Sequence, residues 1–171
     1  MLHLASRSPR RRELLEQLGI AHGLLDVDVP EVPAPGEPAE DYVRRVAREK
    51  AGAGLLKVLG NPGAVVLGAD TEVVLDGEIF GKPGDEAEAE AMLRRLSGRT
   101  HRVLSAVCLV DRAREAQAMC VSEVSFAVLE DADIRDYLDT GEWQGKAGAY
   151  AIQGRAAAFV ERKFGPGGAY D

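Results

Sequence analysis

The chain opens with a short apolar run, Met1 to Leu4, which breaks at Ser6, Ser8 and Pro9 and then turns helical. Ser8 suits an N-cap and Pro9 the first helical position, while Leu14, Leu15 and Leu18 form an apolar stripe that Gly19 ends. After a proline-rich loop, Pro30 to Pro38, helical spacing resumes over Glu40 to Leu59. Val43, Val46, Ala47 and Lys50 share one side of that helix, which is weakened near Gly52 and Gly54. Ala64 to Ala69 is a continuous apolar run that suits a strand buried on both faces, with Asp70 at its end. Asp76-Gly77, between apolar pairs in Val73 to Phe80, predicts a two-residue hairpin. Asp85 then caps a helix through Leu96, with Ala89, Met92, Leu93 and Leu96 as its stripe and Gly98 as its stop. His101 to Val110 and Met119 to Leu129 read as two long strands, and Asp131 to Leu138 as a helix. Beyond a glycine-rich loop, Thr140 to Gly148, short strands are predicted at Tyr150 to Ile152 and Ala157 to Arg162. The fold class is α/β, with helices covering a mixed or mostly antiparallel sheet.

Composition sharpens this picture. With 171 residues, 46% of them hydrophobic, the chain predicts one domain over 1–171 with an ordinary core. Cys108 and Cys120 lack CxxC spacing, which argues against a disulfide framework or a zinc site and fits a reduced, cytoplasmic setting. Neither a leader pattern nor an apolar stretch of bilayer length is present, so no membrane partner is expected. A formal net charge of −7 argues against a nucleic-acid partner, because phosphate affinity grows with basic contacts over an extended face.

The positive charge is instead concentrated at one point. Arg10, Arg11 and Arg12 fall in the first turn of the first helix, where exposed cations oppose the macrodipole by about 0.3–1 kcal/mol each. A bound anion reverses that sign, and serine hydroxyls, free amides and guanidinium forks are the parts of a phosphate site. The bland alternative is a solvated basic helix end with two capping serines. Asp70 either stands at a sheet edge where ligands collect or caps a turn before Thr71. Lys50 either snorkels from an apolar stripe or contacts a substrate. Lys82, Glu31 and Gln153 each divide in the same way between a ligand contact and an ordinary loop or strand-end role. His3, His22 and His101 form no ligand pattern, and no P-loop is present.

Five segments carry a resemblance: ASRSPRRRELL (5 to 15), REKA (48 to 51), GADTEVVLDGEIFGKP (68 to 83), MLRRLSGRTHRVLSAV (92 to 107) and GKAGAYAIQG (145 to 154). In this order and spacing they resemble the Maf family of nucleoside triphosphate pyrophosphatases almost from end to end. The resemblance implies an elongated mixed sheet flanked by helices, with a cleft between two lobes, similar to the inosine triphosphate pyrophosphatases. It also implies hydrolysis of a nucleoside triphosphate to its monophosphate and pyrophosphate, assisted by Mg²⁺ or Mn²⁺. By position, Ser6, Arg10, Arg11, Lys50 and Lys82 would bind substrate, and Asp70 would be the catalytic base or position a metal-bound water. Glu31 and Asp70 would hold the metal, and Arg10, Thr71 and Gln153 would set substrate choice.

Tyr150 and Gln153 give the form similar to the branch acting on dTTP and UTP rather than its 7-methyl-GTP sister. A glutamine amide both donates and accepts, matching the O4 and N3–H edge shared by uracil and thymine. The family usually continues into a Val-Val-Gly-Leu-Pro turn and a last helix, whereas this sequence stops at Ala169-Tyr170-Asp171. A homodimer is compatible with the resemblance. The rival readings are a non-catalytic nucleotide-binding protein and a division-regulating protein.

Overall fold

The computed structural model describes residues 1–165 and 168–170. Its elements are β1 (Leu2–Ala5), α1 (Pro9–Gln17), β2 (His22–Leu25), α2 (Ala39–Lys57), β3 (Val65–Leu75), β4 (Glu78–Phe80), α3 (Glu86–Leu96), β5 (Thr100–Val110), β6 (Glu115–Phe126), α4 (Asp131–Asp139), β7 (Val160–Gly165) and β8 (Gly168–Tyr170). The strands pair in the order β2-β1-β3-β5-β6-β7-β8, with β4 on β3, so the fold is mixed α/β. Two compact units divide the chain: Met1–Asp70 with Ser105–Met119, and Thr71–Leu104 with the chain from Cys120 onward. Among the described residues no helix is long and apolar enough to cross a membrane.

In the first unit β1 runs parallel to both β2 and β3, with Ala5 opposite Leu25 on one side and Gly68 on the other. Ser8 caps α1 as expected, its Oγ accepting from the Arg11 amide at 3.4 Å. The apolar stripe of α1 is narrower than predicted. Leu15 is buried, but Leu14 and Leu18 are 40% and 71% exposed. Arg11, half-buried one turn before Leu15, shares the inward row, so this short helix turns a basic side chain toward the fold. The α2 helix buries Val43, Val46, Ala47 and Ala51 and continues unbroken through Gly52 and Gly54. A Cβ on Gly54 would lie 2.8 Å from Val66 Cγ1 and 2.9 Å from Ala5 Cβ. Close packing on β1 and β3 therefore outweighs the poor helix propensity.

Asp70 does not end its strand. It is the sixth of eleven residues in β3 and is 3% exposed. The Asp-Thr-Glu stretch that separates two apolar runs in the sequence is thus the buried middle of one strand. This is a tertiary effect, since strand propensity disfavours Asp and Glu.

In the second unit β3 turns into β4 at Asp76 and Gly77, whose φ values of 51° and 80° are those of a type I′ hairpin. Asp85 caps α3 by accepting from the Glu88 amide at 2.8 Å. Ala89, Leu93 and Leu96 join Phe80, Phe126 and Tyr137 in one apolar core. The strand predicted at Tyr150 to Ile152 is absent: Ala147–Ala149 is a 3₁₀ turn, and Ile152 and Gln153 lie in another turn. Gly148 and Ala149 both have positive φ, which breaks any extended run, and Tyr150 turns inward onto Phe126 with ring centroids 4.9 Å apart. Ala157 to Phe159 is likewise 3₁₀, and extended structure begins only at Val160, opposite Phe126. The β6 strand starts at Glu115, four residues before the predicted Met119.

Candidate active site

The first unit gathers charge at the C-terminal ends of its parallel strands, where α/β folds place ligands. Since Ala5 is in register with Gly68, the turn Ser6-Arg7-Ser8 leaves β1 beside Ala69 and Asp70. Ser6 Oγ accepts from the Ser8 amide and from Arg11 Nη1, each at 3.1 Å. Arg7 pairs with Asp26 at 2.5 Å, just after β2. Arg10 and Arg12 lie along α1, 3.9 Å from Glu13 and 4.0 Å from Glu16. Such exposed pairs contribute little to stability. The three arginines are therefore not equivalent: Arg11 folds back over the turn, while Arg10 and Arg12 face their own helix.

The densest group is built around Lys50. Its Nζ lies 3.0 Å from Glu31 Oε1 and 3.5 Å from Asp70 Oδ1, and donates to the Ala69 carbonyl at 3.3 Å. The Lys50 and Asp70 side chains are only 13% and 4% exposed, so this ammonium does not snorkel to solvent. The ammonium is hydrogen-bonded to one carbonyl and paired with two carboxylates. Gly68 makes the placement possible, because an added Cβ would sit 2.3 Å from the Ala47 carbonyl oxygen and 2.6 Å from the Ala51 nitrogen. Backbone rests on backbone there, and Lys50, one turn beyond Ala47, is set over Ala69 and Asp70.

Glu31 belongs to an irregular loop that also depends on α2. Arg45 forms a fork onto Glu37, at 2.8 Å and 3.0 Å, and also donates to the Val32 carbonyl at 3.1 Å. Arg45 together with the Ala34 amide pulls the Glu37 carboxyl down to about 2. The sequence offered only the Arg45–Glu49 spacing of four residues as a hint of this network, and that pair forms at 2.9 Å.

The remaining candidates lie in the second unit. Thr71 follows Asp70 on β3 and is half-buried, Lys82 is exposed just after β4, and Gln153 is exposed in a turn. His101 is a core residue there, as a strand histidine should be. Its Nε2 meets the Tyr150 hydroxyl at 2.5 Å, and burial lowers its pKa to about 4. Burial likewise raises the Cys108 thiol, in the first unit, to about 11, which makes it a poor nucleophile.

Among the described residues no three His, Cys, Asp or Glu side chains converge as a metal cluster. Magnesium does not need one, since it takes one or two carboxylates and fills its other positions with water and phosphate oxygens. Glu31 and Asp70, both directed at the one cationic group of Lys50, form a donor pair of that kind.

The family described as Maf-like protein matches residues 1–166. A nucleoside triphosphate pyrophosphatase of Xylella fastidiosa (strain 9a5c) is 57% identical over 166 residues, covering 96% of this chain and 88% of the relative. A dTTP/UTP pyrophosphatase of Xanthomonas euvesicatoria pv. vesicatoria is 58% identical over 167 residues, with the same coverage of each. Among solved structures, the Ham1 protein of Staphylococcus aureus overlaps 74% of this chain and 71% of its own, at TM-score 0.47 and 15% identity.

Proposed function

This chain belongs to the Maf family, and on that premise we propose that it hydrolyses nucleoside triphosphates, dTTP and UTP foremost, to the monophosphate and pyrophosphate. The observation that carries the reading is Lys50 holding Glu31 and Asp70 together beside the Ser6–Arg11 turn. The names of relatives at 57–58% identity support the same reaction.

Ser6, Arg10 and Arg11 bind phosphate oxygens at the start of α1, where amides and guanidinium groups favour an anion. Lys50 adds positive charge next to Asp70 and keeps its carboxylate in place. Asp70 takes the proton from the water that attacks the α-phosphorus, opposite the departing pyrophosphate. Glu31 and Asp70 would hold Mg²⁺ or Mn²⁺, which when bound would neutralise triphosphate charge. Fixed charge and alignment account for most of the acceleration. In the second unit, Lys82 is assigned to phosphate and Thr71 and Gln153 to base preference. The Gln153 amide matches the edge that uracil and thymine share, and cytosine reverses that donor and acceptor pattern.

Incubation with a panel of nucleoside triphosphates, with products identified, tests this. Monophosphate and pyrophosphate should appear fastest from dTTP and UTP. Asp70→Asn should abolish turnover while retaining nucleotide binding. Release of orthophosphate alone overturns the reaction, and turnover of purines alone overturns the base preference.

A further inference from the structure

We propose that Arg45 is a positioning residue for Glu31, holding the proline-rich loop so that the Glu31 carboxylate meets Lys50; its catalytic consequence rests on the function proposed above. Residues 26–38 form no helix or strand, so regular structure does not set the path of the backbone at Glu31. Arg45 does so from α2. Its Nη2 donates to the Val32 carbonyl at 3.1 Å, one residue past Glu31. The same Nη2 and Nε form a bidentate fork on Glu37, whose Oε1 also accepts from the Ala34 amide at 3.0 Å. Both ends of the segment 32–37 are therefore tied to one guanidinium.

The guanidinium is itself well held. Nη1 donates to Glu49 at 2.9 Å, and the group lies 5.4 Å from the centroid of the buried Tyr42 ring. With Glu37 only 13% exposed, this is a network and not an isolated surface pair. Lys50 follows Arg45 by five residues on the same helix, about 7.5 Å along its axis. A single rigid element thus grips the loop backbone at Val32 and receives the carboxylate of the preceding residue. A lysine cannot replace this arginine, because the fork needs a planar set of donors.

The test combines kinetics with amide exchange. Arg45→Met should lower kcat/KM about tenfold or more, with the same division between kcat and KM as Glu31→Gln, because a displacement of about 1 Å near the chemistry can cost about a hundredfold. In a Glu31→Gln background Arg45→Met should cost less than about twofold further. Glu37→Gln, which keeps an acceptor for Ala34 and Arg45, should retain more activity than Glu37→Ala. Exchange of the Ala34 amide should rise about tenfold or more in Arg45→Met while Val46, in the buried face of α2, keeps its protection. Unchanged Ala34 exchange overturns the proposal, as does an equal loss of kcat/KM with or without Glu31. If the unsubstituted protein releases no pyrophosphate from any nucleotide, the proposed function fails, and Ala34 exchange alone decides whether Arg45 holds the loop.

Discussion

Gly68→Ala perturbs the contact on which the position of Lys50 depends. The new Cβ would lie 2.3 Å from the Ala47 carbonyl oxygen, 2.6 Å from the Ala51 nitrogen and 3.0 Å from the Ala51 Cα. All three are backbone atoms, so no side-chain rotation relieves the overlap. Reaching ordinary contact requires α2 to recede by about 1 Å. That retreat stretches the 3.3 Å bond from Lys50 to the Ala69 carbonyl beyond hydrogen-bonding reach. Overpacking costs about 1–3 kcal/mol, and the rigidity of both partners puts this case near 3 kcal/mol. For a chain of this size that is a fall in Tm of about 6–12 °C. The matching control is Gly52→Ala on the same helix, where nothing lies within 4 Å of the added Cβ. It should stabilise by about 0.5–1 kcal/mol through helix propensity. Thermal unfolding followed by circular dichroism reads both signs. Turnover of dTTP by Gly68→Ala should fall about 100-fold, as expected for a displacement of this size near the chemistry. A Gly68→Ala protein that melts within a degree of the unsubstituted one, with full activity, would refute the argument.

Two further perturbations follow from buried groups. His101 titrates near 4 in the folded chain because it is buried, against 6.5 when exposed, so the unfolded chain binds more protons between those values. Stability from this residue is complete above pH 6.5 and falls as pH drops toward 4, by roughly 2–3 kcal/mol; urea unfolding of His101→Gln should show a shallower loss over that range, and an identical slope would exclude His101 as its source. Lys50→Met leaves Asp70, 4% exposed, without its ammonium and should destabilise by about 3 kcal/mol. Adding Asp70→Asn should recover at least about 1 kcal/mol, and strictly additive losses in urea unfolding would show that the two groups are not coupled.

Local chemistry was legible in the sequence wherever a residue type has a conformational reason to be where it is. Ser8 and Pro9 open α1, Asp76-Gly77 makes the hairpin, and Asp85 caps α3, each through its own backbone preference or a bond within three residues. What could not be read is what distant segments impose. Asp70 looks like a strand terminus because a carboxylate is a poor strand residue. It lies mid-strand beside Lys50, which comes from twenty residues earlier on another element. Tyr150 looks like a strand residue because it follows alanines and precedes Ile152. Its burial on Phe126 and the positive φ of Ala149 instead hold a turn there. The spacing of residues leaves Glu31 and Lys50 divided between a ligand contact and an ordinary loop or helix charge, and only the family resemblance gives each a role. Arg45 carried no signal beyond its partner at Glu49, because its role lies in a loop whose path no local preference determines.

Hydrolysis of dTTP in ¹⁸O-enriched water tests the central chemistry most directly, by asking which phosphorus the water reaches. Attack at the α-phosphorus places one ¹⁸O in the monophosphate and none in the pyrophosphate, and Asp70→Asn should abolish formation of both labelled and unlabelled products. Label in pyrophosphate, or label released in orthophosphate, would contradict the account.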